Sequence, residues 1–433
     1  MKSLGDKRGS SRRRGLTRAI RIRLALGERR FDDDREIEAH ACALTSSRCR
    51  WKPFALACVA ALALGGCNDR PTGFLTTPQV ASVAGAERVD LLVVTTRSST
   101  GAEPGQLFTG ERGDKPGFAD IAISIPPEPA HKLGEVEWPR AEHVDAATEF
   151  VTLKAERLDR DEALRRFDAR LRQNPKRQVL VFVHGYNTRF PEAVYRFAQI
   201  VHDARTTATP VLFTWPSRGD LLAYPYDRES ANYSRDALEA LLQFLSQDRS
   251  VGEIAILAHS MGNWVMMEAL RQMAIRDGRL PAKIKEVMLA APDVDVDIFR
   301  QQLNEIGDRR PPFTVFVSQD DSALALSKHF WSGGRRLGAI DPHAEPYRSD
   351  FEKLHVDLFD LTDVKSADSM NHSKFATEPE VVQLIGTRLA ANQTLSDSSA
   401  GLSERIGVVG SEAETALGSA ASLIGGPPSA AAQ

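Results

Sequence analysis

The chain has 433 residues, 42% of them apolar and 26% charged, an ordinary globular composition that excludes collagen-like, coiled-coil and multi-span membrane classes. A formal charge of −3 leaves no basic footprint for nucleic acid. That balance hides an asymmetry, because residues 1–50 hold 14 Lys and Arg against 7 Asp and Glu; the positive charge belongs to a leader and not to a binding face.

The first readable element is residues 53–66, an uncharged, mostly apolar run of 14, shorter than the roughly 20 that span a bilayer. Arg48, Arg50 and Lys52 precede it and Leu64-Gly65-Gly66-Cys67 closes it, the grammar of an export signal that resembles a bacterial lipobox. That resemblance implies a diacylglyceryl group on Cys67, cleavage before it and acylation of the new amino terminus. Two or three acyl chains anchor stably where one does not, so the expected location is the bacterial envelope, outside the cytoplasm. The four cysteines are Cys42, Cys49, Cys58 and Cys67. A mature chain starting at Cys67 therefore has no disulfide and no cysteine nucleophile. We read 1–66 as leader and signal peptide, 67–87 as tether, 88–391 as one domain, and 392–433, rich in Ser, Ala and Gly, as a disordered tail.

Within the domain, short β-branched runs alternate with amphipathic segments, which predicts a mostly parallel sheet flanked by helices. Strands are expected at 89–96, 178–183, 210–215, 253–258, 286–290, 313–317 and 356–361, several continuously apolar as buried parallel strands are. Helical periodicity covers 192–204, 227–247 and 261–276. Residues 97–140, rich in Gly and Pro, read as an irregular flap with a hairpin. The stretch from Pro292 to Pro312 is too short for a large cap domain, so any lid comes from that flap or from the loop after Trp215, where Tyr224, Tyr226 and Tyr233 either line a pocket or pack the loop.

The strand at 253–258 runs through Ala258-His259-Ser260-Met261-Gly262 straight into a helix. This is the nucleophile elbow G-x-S-x-G with alanine at the first glycine. Small residues flank the serine because strand and helix backbones pass close together there. Ser260 would project above the sheet, with the Met261 amide aimed at a developing oxyanion. Upstream, strand 178–183 ends in His184-Gly185-Tyr186-Asn187, where α/β-hydrolases carry a turn whose amide is the second oxyanion donor; Tyr186 is the candidate, and His184 is assigned loop shaping.

A serine needs a base, and the base needs an acid that fixes its tautomer. Chain order in this fold is Ser, acid, His. Ser318-Gln319-Asp320-Asp321 follows the strand at 313–317, and His329, His343, His355 and His372 come later. His372 alone lies in the loop after the last strand and is the preferred base; His355 is expected to point along or into the sheet. The residues leave Asp320, Asp321 and Asp293 open as the acid. Asp293, Asp295 and Asp297 could also ligate a cation, although a solvated loop with a helix cap is the more ordinary reading of such a cluster.

The motifs VVTTR (93–97), FTGERG (108–113), IPP (125–127), VFVHGYN (181–187), FTWPSRG (213–219), AHSMGNW (258–264), AAPDVD (290–295), SQDDSAL (318–324) and NHSKF (371–375) together resemble a family of largely uncharacterised bacterial α/β-hydrolases, several of them lipoproteins. The resemblance covers about Asp90 to Leu389 and implies the α/β-hydrolase fold, a Ser-His-Asp mechanism and no cofactor or metal; its SxxDxAL pattern aligns the acid with Asp321. The expected activity is hydrolysis of carboxylic esters or related acyl compounds. Two rivals stand beside it: an acyltransferase or lipase acting on envelope lipids, and a non-catalytic binding lipoprotein that keeps the fold.

Overall fold

The computed structural model describes residues 75–77, 83–102, 105–140, 144–331, 334–366, 368–391 and 407–409. The leader, the signal-like run and Cys67 lie outside them. The strands are β1 (Glu87–Arg97), β2 (Arg112–Ile125), β3 (Val151–Leu158), β4 (Gln178–Val183), β5 (Thr209–Thr214), β6 (Glu253–His259), β7 (Ile284–Ala290), β8 (Phe313–Val317), β9 (Val356–Asp360) and β10 (Gly407–Val409). They form one sheet in the order β10-β9-β8-β7-β6-β4-β5-β1-β2-β3, parallel from β1 through β9 in that row and antiparallel at both ends.

The expected central strands form as predicted because their apolar runs are buried on both faces; every residue of β4 and of β8 is buried. Alternation along β4 divides the core, with Val179, Val181 and Val183 in one cluster and Leu180 and Phe182 in the other. The first face is covered by α1 (Arg160–Gln173), α3 (Tyr224–Gln247), α4 (Gly262–Asp277) and α5 (Val296–Ile306), the second by α2 (Phe190–Asp203) and α9 (Pro379–Ala391). Three shorter helices, α6 (Ser322–Trp331), α7 (Tyr347–Lys353) and α8 (Lys374–Thr377), lie in the connections around β9. Between β7 and β8 there is a single helix, α5, and no large cap.

Four features differ from expectation. Residues 97–140 do contain the expected hairpin, where β1 pairs antiparallel with β2, but not a flap, because β2 also pairs with β3 and so lies within the sheet. Pro116 and Gly117 interrupt the strand pattern in sequence, but they fall in the more exposed half of β2, and the continuous buried run from Phe118's neighbour Ala119 to Ile125 anchors the rest. The segment read as tether rejoins the domain early, since Leu75 is buried and its N–H donates to Gly105 O at 3.1 Å. Within the expected tail, Gly407–Val409 adds a strand to the open edge of β9. His355 is exposed, with φ +47°, on the tight turn that enters β9, so it faces away from the sheet interior.

Asp120 on β2 clamps the antiparallel end. Its buried carboxylate accepts from Lys154 Nζ at 2.7 Å and from Arg166 at 2.6 Å, and it also pairs with Arg170. Burial opposes ionisation, but the three cations outweigh it and hold the pKa at about 2. Because the folded value lies below the unfolded one, the stabilisation is complete above about pH 4 and is lost as pH falls through the folded value. Asp120→Asn is expected to cost about 2 kcal/mol at pH 7, read by urea unfolding, with the gap to wild type closing in acid.

Candidate active site

The chain runs from β4 to β5 on one side and later returns to β6 on the other, so the carboxyl end of β4 is the topological switch point, where ligands bind in open parallel sheets. Register places Val183 of β4 beside Ala258 of β6. The His184–Asn187 turn and the Ser260 turn are therefore neighbours. An added Cβ on Gly185 would lie 2.8 Å from Ser260 Cβ and 2.9 Å from His259 Nδ1, so glycine is required for the two turns to meet.

Ser260 is 3% exposed and sits at φ +52°, a left-handed conformation costing a non-glycine residue about 1–3 kcal/mol unless its surroundings impose it. Here they do. Its N–H donates to Ala290 O at 3.0 Å, and its carbonyl accepts from the amides of Asn263 at 3.1 Å and Asp293 at 3.2 Å. The buried Asn263 side chain adds bonds to Ser260 O at 3.0 Å and Ala290 O at 3.1 Å. Helix α4 starts at Gly262, so Met261 presents the first amide beyond the serine.

His184 is pinned from every side, as expected of a loop-shaping residue. Its ring stacks on Trp215 at 5.1 Å, one nitrogen bonds Gly185 O at 2.8 Å, and the other is 2.9 Å from Thr214 Oγ1. Burial, with the nearby Arg97, lowers its pKa to about 3, so it stays neutral.

The loop after β9 brings His372 to Asp321, with Nδ1 2.7 Å from Asp321 Oδ2. Asp321 is fully enclosed and caps α6 by accepting from Leu324 N at 2.9 Å, while Ser322 N donates to Met370 O at 3.0 Å and ties the acid's loop to the histidine's. Burial works against the His372 cation, but the Asp321 carboxylate prevails and raises its pKa above the usual 6.5. Two residues not anticipated from sequence support this loop. Asp368 accepts from the amides of His372 and Ser373, both at 2.8 Å. His259, its pKa pushed well down by burial and the neighbouring His372, lies 4.7 Å ring to ring from His372 and bonds its carbonyl at 3.2 Å. A polar residue in a turn gave no sign of either role before the turn's partner was known. Among the described residues, the Ser260 hydroxyl makes no direct hydrogen bond to His372.

The other acids are engaged elsewhere. Asp320 accepts from Lys374 Nζ at 2.9 and 3.0 Å, from Ser318 Oγ at 2.5 Å and from Asn371 Nδ2 at 2.9 Å. Asp293 accepts from Tyr224 OH and Ser327 Oγ, both at 2.9 Å, and pairs with Arg336 at 3.1 Å. Asp295 caps α5 through the amides of Asp297 and Ile298, and Asp297 pairs with Arg300, so the three alternating aspartates diverge into separate structural bonds. Of the tyrosines, Tyr224 packs edge-on against Tyr186 at 5.1 Å, whereas Tyr226 and Tyr233 bond Gly110 O and Gly113 O and pack the loop.

Residues 159–388 match the family described as "Alpha/beta hydrolase of unknown function (DUF900)". The uncharacterized protein alr1448 of Nostoc is 26% identical over 132 residues, 25% of this chain, and the chain spans about a third (34%) of that relative's length. Among solved structures, a protein of Lactobacillus plantarum described as a cell surface hydrolase aligns at 13% identity and TM-score 0.34, over 53% of this chain and 98% of that one. A Rhizomucor miehei esterase aligns at 13% identity and TM-score 0.31, over 81% and 93%. With its parallel sheet, strand-to-helix serine turn and family match over more than half its length, the chain belongs to the DUF900 family of α/β hydrolases of unknown function.

Proposed function

We propose that the chain is a serine hydrolase that cleaves carboxylic esters or related acyl compounds, with Ser260 as nucleophile, His372 as base and Asp321 as its orienting acid. The observation that supports this reading is the 2.7 Å His372–Asp321 bond, with the His372 ring packed 4.7 Å from that of His259, the residue that precedes a serine held at φ +52°. With Nδ1–H committed to Asp321, His372 keeps its Nε2 lone pair for the Ser260 proton. Ser260 Oγ then attacks the acyl carbon, and the amides of Tyr186 and Met261 hold the oxyanion. His372 returns the proton to the leaving alcohol, and water, activated in the same way, releases the acyl group from Ser260.

The rim favours an apolar acyl group. Leu221 and Leu222 are 67% and 86% exposed, and Tyr186 OH bonds Leu221 O, which ties this apolar pair to the oxyanion turn. A lipid anchor on Cys67 would hold such a mouth near envelope lipids, so transfer of the acyl group to a lipid alcohol is the second reading; product analysis with and without added alcohol separates the two.

The test is labelling of the full-length chain, purified in detergent, with a fluorophosphonate probe. Wild type is expected to label, and Ser260→Ala and His372→Ala to lose labelling. A well-folded wild type that does not label would sink the hydrolase reading in favour of a binding lipoprotein.

A further inference from the structure

Helix α2 starts beside the Gly185 turn and, after 14 residues, or about 21 Å at 1.5 Å per residue, delivers His202 and Asp203 to the opposite end of the parallel strands. There they meet His131, from the connection between β2 and β3. His131 Nε2 lies 2.8 Å and His202 Nδ1 2.7 Å from the same oxygen, Asp203 Oδ1, and the three ligand atoms lie within 4.8 Å of one another. We propose that His131, His202 and Asp203 form a binding site for a divalent transition metal of the zinc class.

Two imidazoles and a carboxylate are a donor set that zinc takes with a fourth position left open. What separates this cluster from a chance meeting of polar side chains is the layer behind it. Ligating histidines use their second nitrogen on a carboxylate or carbonyl that fixes tautomer and ring direction. His131 Nδ1 lies 2.8 Å from Glu137 Oε2, and His202 Nε2 lies 3.5 Å from Glu87 Oε2. The second oxygen of Asp203 accepts from Gly134 N and from Gln199 Nε2, both at 2.7 Å, so Oδ1 faces the two imidazole nitrogens, whose N–H protons an ion bound among the three atoms would replace. Glu137 is itself held by the Lys132 amide at 3.0 Å.

Access fits the same assignment. The side chains of His131 and Asp203 are 1% exposed while that of His202 is 16% exposed. His131 and His202 line a surface cavity of about 700 Å³ together with Glu87, Arg88 and Arg205, which provides an entry path and room for a water ligand. A bound dication would tie the connection between β2 and β3 to the end of α2 and, through Glu87, to the start of β1. Its expected role is therefore to fix this edge of the domain, apart from the acyl chemistry.

The test uses the full-length chain carrying a purification tag without histidine, stripped with a chelator and titrated with Zn²⁺ and Co²⁺. We expect about one Zn²⁺ per chain by elemental analysis, a Co²⁺ visible spectrum of four- or five-coordinate type, and a melting temperature that rises with metal. His202→Ala should abolish the Co²⁺ spectrum, and Glu137→Gln, which leaves all three ligands, should weaken affinity about 10- to 100-fold. A folded wild type that binds no Zn²⁺, or a Co²⁺ spectrum unchanged in both variants, overturns the proposal and leaves a hydrogen-bonded network. If His202→Ala fails to fold, the Glu137→Gln titration decides: unchanged affinity overturns the site.

Discussion

Asp321→Asn is expected to lower kcat/KM for a reactive ester by about ten-thousandfold, with folding intact and KM little changed. The carboxylate now accepts from His372 Nδ1–H at 2.7 Å. An asparagine there can donate to Nδ1 instead, which puts the proton on Nε2, where the lone pair for Ser260 is needed. The pH profile gives an independent reading. The base works as neutral imidazole, and Asp321 raises the His372 pKa, so the acid limb of wild-type activity should climb through a value above the about 6.5 of a free histidine. Without the carboxylate the cation loses its main support, and the residual activity of Asp321→Asn should climb at lower pH. Asp320→Asn removes the charge paired with Lys374 and one of the two oxygens shared by Lys374 and Asn371, and should alter stability more than rate. A loss under tenfold with an unshifted limb would move the acid to another residue, with Asp293 the first to examine because its charge also bears on His372.

The parts legible in sequence were those with local signatures. Parallel strands buried on both faces are continuous apolar runs, and β4, β6 and β8 begin and end within a residue of their expected limits. The elbow was legible because a strand, a small residue, a serine and a glycine must follow in order. Edge structure was not, since β2 carries Pro116 and Gly117 inside a strand that only its pairing with β1 and β3 defines. The choice among acids was open for a related reason. Adjacent Asp320 and Asp321 have the same composition, and their opposite fates depend on Lys374 and His372, more than 50 residues away. Residues that hold a site from outside it, such as Asn263 and Asp368, carry no pattern of their own; each is identified only by the carbonyls or amides that it meets.

The elbow's two small residues should respond oppositely to substitution. The general motif has glycine at both positions, and this chain has Ala258 and Gly262. Ala258 is fully buried in β6, in register with Val183 on one side and Leu289 on the other, and its methyl is accommodated there. Gly262 has no such room: an added Cβ would lie 2.7 Å from Val183 O and would overlap His184 O. Those carbonyls belong to the end of β4 and the turn that follows it, rigid backbone that cannot step aside as a side chain would. Gly262→Ala must therefore push α4 off the sheet or shift the His184–Tyr186 turn, at an expected cost of about 3 kcal/mol, and on the proposed mechanism even a folded fraction should lose probe labelling, because the turn that would supply the Tyr186 amide has moved relative to Ser260. Ala258→Gly gives up one buried methyl and some chain entropy, about 1–2 kcal/mol, and should label at a rate within about threefold of wild type, well under the tenfold that 1.4 kcal/mol represents. Thermal melting and labelling rates of the two variants, measured together, check this ordering. If Ala258→Gly were the more damaging, the close approach of strand and helix would be governed by the residue before the serine turn and not by the one after it.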